Sequence, residues 1–375
     1  MTSSDSTPST AADLVRSRAD GSGRSGPAMV DWEVARSTAI RLVKPGPQIS
    51  RAGAAEAVAA LRASAERAEA YVVDVTGLPV PSATAPVLVV DRPGWISANL
   101  DAFRTVLAPL EEKAADKLRP GTTVSALGAR ATGVEVGVLL SYLAPKVLGQ
   151  FDPFYPGEVG APGGRLLLMA PNIVAAEREL KVDPADFRLW VCLHEETHRV
   201  QFTAVPWLRE HLNTQIASVV NAAELDSAAM VQLLADGARR LVQALRTGEE
   251  VSIVDLVQTP QQRETIDKIT AVMSLLEGHA DVVMDSVGPS VVPSVAEIRR
   301  RFTVRRQGQG LDKVVRVLLG LDAKMRQYRD GARFCRAVID EVGMTGLNQV
   351  WTAPETLPTR DEIARPERWL ARVPA

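Results

Sequence analysis

His194, Glu195 and His198 spell HExxH. A helix places positions i and i+4 on one face, so both imidazoles can reach a single cation while Glu195 projects beside it. Such a set suits metal-assisted hydrolysis. Two neutral imidazoles and one further carboxylate leave a bound zinc net positive, with an open position for water. The metal lowers that water's pKa toward about 7, and the glutamate can take its proton and pass it to the leaving amine. The chain has four histidines, and two lie in this motif among Leu189, Trp190, Val191, Leu193 and Phe202. Ligation accounts for that concentration better than a solvated helix face does.

The third ligand decides the class. A metzincin would continue HExxHxxGxxH, but Gln201 stands where the glycine belongs and Ala204 where the histidine belongs. Downstream, Glu277, Gly278, His279, Ala280 and Asp281 follow one another. Glu277 and Asp281 share a helix face, so Glu277 can bind the metal while Asp281 accepts a hydrogen bond from the distal nitrogen of a ligating histidine. This stretch looks like the ExxxD half of the gluzincin pattern, whose zinc is held by two histidines and a glutamate. His279 competes as a ligand, though only Glu277 has a carboxylate one turn away; otherwise His279 is a core imidazole or a substrate contact. A donor for the developing oxyanion is also needed, and Tyr155, His279, Tyr328 and Arg333 are candidates. Cys192 points away from the metal face and reads as a buried small side chain, and His211 has no partner spacing.

The elements that must present these groups are mainly helical. Asp183 and Pro184 supply a cap and a first-turn proline for a helix running through FRLWVCLHEETHRVQF and stopping before Pro206. The helix carrying Glu277 starts at Thr259 and Pro260, has Gln262 in the capping-box position, and breaks at Gly288 and Pro289. Other helices are expected through the alanine-rich Ala54 to Ala70, from an N-cap at Ser97 to about Leu118, over about Val124 to Leu148, and over about Leu311 to Val342. Gly133 and Gly137 suit close helix packing. Strands are few: Val87 to Val90, and RLLLMA from Arg165 to Ala170, either an ordinary buried strand or an edge for an extended substrate. GQFDPFYPGE reads as a loop. The expected fold class is mainly α with a few short strands, with HExxH on a core helix and the third ligand on a later one. Residues 1–30 read as a disordered tail, 31–352 as the main domain with two lobes around the cleft, and 353–375 as a terminal appendage with one short helix.

Composition narrows the classes further. With 375 residues, 46% hydrophobic, 23% charged and a formal net charge of -2, the chain has no field to attract a nucleic-acid backbone. No apolar run reaches the roughly 18 residues of a membrane span. Two cysteines make no disulfide framework, and the first thirty residues lack a secretory pattern, so a cytoplasmic location is expected. Composition does not set the oligomeric state.

The chain resembles the actinobacterial zincin-like metallopeptidase type 2 family. The resembling stretches are DWEVA from Asp31, VVDRPGWISAN from Val89, VLGQFDPF from Val147, GRLLLMAPNI from Gly164, DFRLWVCLHEETHRVQFTAVPWLREHL from Asp186 and EGHAD from Glu277. The resemblance implies one Zn2+ per chain held by His194, His198 and Glu277, with Glu195 as general base acting on a peptide or protein substrate. Members are often labelled as hydrolases associated with deazaflavin-coenzyme biosynthesis, a label that identifies no substrate. The expected activity is zinc-dependent peptide hydrolysis; the alternatives are a zinc hydrolase of a non-peptide amide and a non-catalytic zinc-binding structural or regulatory protein.

Overall fold

Capping side chains set where the helices begin. Asp31 Oδ1 accepts from the Val34 amide at 3.0 Å and opens α1 (Trp32–Leu42). Ser50 opens α2 (Arg51–Thr76), which stops where Gly77 adopts the left-handed conformation at φ 63°. The computed structural model describes residues 29–81, 84–117, 123–157, 163–222, 260–306 and 321–373. β1 (Val87–Val90) follows, then α3 (Arg92–Lys117), α4 (Thr123–Leu143), β2 (Gly149–Asp152), β3 (Arg165–Met169), α5 (Ala170–Leu180), α6 (Pro184–Ala204) and α7 (Pro206–Ala222). The rest comprises α8 (Pro260–Val287), α9 (Val295–Arg306), α10 (Leu321–Leu347), two 3-10 turns, α11 (Arg360–Ala364) and α12 (Pro366–Arg372). The mainly helical architecture with few short strands is as the sequence predicts.

Four expectations change. α3 begins at Arg92 rather than after Ser97, because Asp91 Oδ1 caps the Gly94 amide at 2.8 Å; Ser97 lies inside the helix and accepts from Arg36. The stretch GQFD is a strand, not a loop. It pairs antiparallel with β3, while β1 pairs parallel with β3 on the other side, giving the order β1-β3-β2. RLLLM is therefore the central strand and offers no edge to a substrate, consistent with the burial of Leu166, Leu167, Leu168 and Met169. The stretch from Ala353 carries two short helices, and Leu357, Ile363, Trp369 and Val373 join the same apolar core as α6. Of the helix expected over about Leu311 to Val342, residues 311–320 lie outside the described set, as do Thr259 and residues 1–28.

Two packing relations fix the site. Asp183 caps α6 at Asp186 N, 2.9 Å away, and 13 of the helix's 21 residues are buried, so it is surrounded rather than merely amphipathic. α6 packs on α2 and α8, and α8 packs on α10. The second contact is backbone against backbone. A Cβ on Gly278 would meet the Gly331 carbonyl carbon at 2.1 Å and the Ala332 nitrogen at 2.4 Å, and one on Gly331 would meet the Ser274 oxygen at 1.9 Å. The expected close packing of Gly133 and Gly137 is likewise present, against Asp31 and Ala35 of the chain entering and forming α1.

Gly278→Ala should therefore destabilise the chain by about 3 kcal/mol or more in denaturant titration, because backbone atoms cannot yield as a flexible side chain would. Gly128→Ala, in α4 with nothing within 4 Å of the added methyl, should be neutral or stabilising by up to about 1 kcal/mol. Equal effects of the two substitutions would contradict the packing described.

Candidate metal centre

α6 presents His194 and His198 one turn apart, with ring centroids 4.8 Å apart and planes nearly perpendicular. α8 brings Glu277 to them: its Oε2 lies 3.6 Å from His194 Nε2 and 3.9 Å from His198 Nε2. Among the described residues, these three form the group of His, Cys, Asp or Glu side chains able to hold a metal ion, with ligand atoms all within 4.8 Å of one another. Zinc takes nitrogen and oxygen ligands at about 2.0–2.2 Å in a tetrahedron, which needs donors separated by a little less than the distances seen. Small rotamer adjustments supply the difference, so the donor set fits zinc. The side chains are 28, 12 and 18% exposed, so the group sits at an opening rather than sealed in the core.

Glu195 follows His194 on α6 and is buried. β2 passes directly over it: a Cβ on Gly149 would lie 2.5 Å from Glu195 Cδ and 2.8 Å from Oε1. Glycine at 149 lets the backbone come this close. The strand is anchored there by Gln150, whose Oε1 accepts from Trp95 Nε1 at 2.7 Å and whose Nε2 donates to Asn99 at 3.1 Å. Phe151 stacks on Phe202 of α6 with centroids 5.1 Å apart.

His279 does not join the metal-binding group. It is fully buried, which fits the core imidazole considered for it rather than a third ligand or a substrate contact. Its Nδ1 lies 2.9 Å from Gln201 Nε2, and its ring packs edge-on against Trp351. Burial, reinforced by the nearby His198, pushes its pKa down to about 3. Asp281 is also placed differently from expectation. Its Oδ1 accepts from Arg299 at 3.3 Å and its Oδ2 from Arg336 at 2.9 Å, and Asp285 pairs with the same two arginines. It ties α9 and α10 to α8. At His198 the hydrogen-bond partner is Gln201, whose Oε1 is 3.0 Å from Nδ1. Sequence reasoning used Gln201 only to exclude the metzincins, although its i+3 spacing from His198 was a readable signal. Gly149 had no such signal, because its contact with Glu195 crosses from a strand to a distant helix.

Tyr155 is half-buried on the loop after β2, its ring beneath the Arg165 guanidinium at 4.4 Å. Arg333 is exposed and pairs with Asp330 at 3.4 Å on its own helix. The side chain of Tyr328 lies outside the described set. Cys192 is buried against the Leu61 carbonyl and its thiol pKa is pushed well up by burial, as its plain reading requires. Glu196 points away from its neighbour Glu195, into a buried pair with Arg199, which also reaches Glu69 at 2.9 Å and Thr84 at 2.7 Å. Burial raises the Glu196 pKa to about 7 against the opposing pull of Arg199.

The depressed pKa of His279 has a consequence for stability. Below the ordinary value of 6.5 the unfolded chain takes up a proton that the folded chain refuses, so the stability His279 confers is lost as pH falls from 6.5 toward about 3. In denaturant titrations of metal-free protein, the stability lost on His279→Leu should be smaller at pH 5 than at pH 7.5 by about 2 kcal/mol. A pH-independent difference between the two proteins would show that the buried imidazole is not held neutral.

Comparison with known proteins places the chain as a whole. A solved structure from Chloroflexus aurantiacus, described provisionally as a hydrolase with a novel fold, is 32% identical; the match covers 92% of this chain and 98% of that one, with a TM-score of 0.64. No curated protein sequence matches. No helix among the described residues is long and apolar enough to cross a membrane. Residues 30–370, nearly the whole chain, match the zincin-like metallopeptidases, and the chain belongs to that family.

Proposed function

We propose that this chain is a zinc-dependent peptidase in which His194, His198 and Glu277 hold one zinc ion and Glu195 is the general base. The convergence of three donor atoms from α6 and α8 carries the reading, and the family supports a hydrolase acting on peptides or proteins. Zinc bound there would supply Lewis acidity. Glu195, held under β2, accepts a proton from the attacking water and returns it to the leaving amine nitrogen. Its burial limits competing hydration of the carboxylate and keeps it aimed. Among the described residues β2 pairs only with β3, so its outer edge beside Glu195 is the place for an extended peptide to align, the role first considered for RLLLMA. Tyr155 and Tyr328 stand as candidate donors to the carbonyl oxygen.

Protein purified without a histidine tag should contain about one zinc per chain by elemental analysis. Glu195→Gln should keep the metal and lose hydrolysis of a peptide library by about 100-fold or more, whereas Glu277→Ala should lose the metal. Zinc-loaded wild type that cleaves no peptide would shift the reading to a non-peptide amide or to a non-catalytic role, and metal-free wild type under zinc-replete conditions would remove it.

Gly149→Ala offers a test of the base itself. The added methyl should displace the Glu195 carboxylate and lower kcat by about 10-fold or more while zinc content stays at the wild-type level. Unchanged turnover would show that the approach of β2 does not aim the base.

A further inference from the structure

Gln201 sits between two histidines with its side chain wholly enclosed. Its Nε2 lies 3.0 Å from the Leu276 carbonyl oxygen and 2.9 Å from His279 Nδ1, and its Oε1 lies 3.0 Å from His198 Nδ1. Both Gln201 and His279 are 0% exposed. A carbonyl oxygen can only accept, so the Leu276 contact decides which end of the amide is nitrogen. The remaining consequences are forced. One amide hydrogen goes to Leu276, the other to His279, whose Nδ1 must therefore be bare and whose proton must sit on Nε2. The amide oxygen faces His198, so that ring must carry its proton on Nδ1, leaving Nε2 bare on the side of Glu277.

We propose that Gln201 is a positioning residue that sets the tautomers of both imidazoles in the metal-free protein, reading the orientation from the Leu276 carbonyl and presenting the His198 Nε2 lone pair in advance of the metal. Turning the amide over would bring its oxygen against the Leu276 oxygen and leave three buried groups mismatched. Helix α8 thus contributes to the site twice, through the Glu277 carboxylate and through a main-chain oxygen one residue earlier in sequence. His279 completes the arrangement at a cost: its Nε2 is buried with no hydrogen-bond partner, an arrangement that an apolar side chain would avoid. A tautomer-setting role explains why an imidazole is there. The effect on zinc affinity rests on the metal-centre reading above; the tautomers do not.

The test is long-range proton–nitrogen correlation spectroscopy of histidine-labelled, chelator-treated protein at pH 8, where four histidines give a tractable spectrum. His198 should appear with the proton on Nδ1 and His279 with the proton on Nε2. Gln201→Leu should mix the His198 tautomers and weaken zinc binding by about 10- to 100-fold. Gln201→Glu supplies an acceptor to both rings, so His198 should be unchanged while the His279 proton moves to Nδ1. A wild-type spectrum with His198 protonated on Nε2 would overturn the proposal, as would a folded Gln201→Leu protein with wild-type tautomers and zinc affinity. If neither variant folds, the wild-type spectrum alone decides. A wild type that binds no zinc would defeat the metal-centre reading but leave this spectrum to be judged by itself.

Discussion

The crossing of α6 and α8 is the constraint from which the site follows. Two imidazoles one turn apart on a single helix are guaranteed by helical geometry, but a carboxylate brought beside them by another helix is not. It arrives because α6 is packed nearly all round and cannot rotate to relieve a misfit, while α8 is gripped from behind by α10 at Gly278 and Gly331. Gly278 adjoins Glu277, so the contact that sets how deeply α8 lies also sets how far its carboxylate reaches. Side chains carried on packed helices hold their geometry better than side chains on loops.

Charge is distributed so that the centre is left to neutral donors and two glutamates. The consecutive residues Glu195 and Glu196 diverge, one under β2 beside the histidines and the other into the Arg199 pair that links α6 to α2 and to the chain entering β1. Asp281 and Asp285 sit one and two turns beyond Glu277, yet Arg299 and Arg336 claim both. These arginine clusters are half-exposed, so each pair stabilises little by itself. Their larger effect is orientational, drawing α9 and α10 onto α8.

Much of this was legible where the determinant was local. HExxH, the Asp183 and Pro184 helix start, and the halt before Pro206 are short-range patterns, and all appear as read. The place of Glu277 beside the two histidines was legible because its spacing within EGHAD matched a known arrangement. Asp281 was misplaced by the same reasoning, since helical periodicity says which residues share a face and not which neighbour the far end of that face meets. β2 was missed because GQFD precedes a proline-rich loop and has no strong strand pattern; it becomes a strand by pairing with β3 and by the grip of Trp95 and Asn99 on Gln150. Gln201 was visible as a spacing, but its meaning needed the Leu276 carbonyl, which only tertiary structure supplies.

The absence of a side chain at Gly149 also constrains how the sheet can assemble. Gly149 is registered opposite Leu168, and Gln150 opposite Leu167. Sliding β2 by one position in either direction would thrust Leu148 or Gln150 onto the Glu195 carboxylate and would break the grip of Trp95 as well. The glutamate therefore serves as a gauge for strand alignment: a mispaired sheet collides with it, and only the correctly threaded edge closes over the helix.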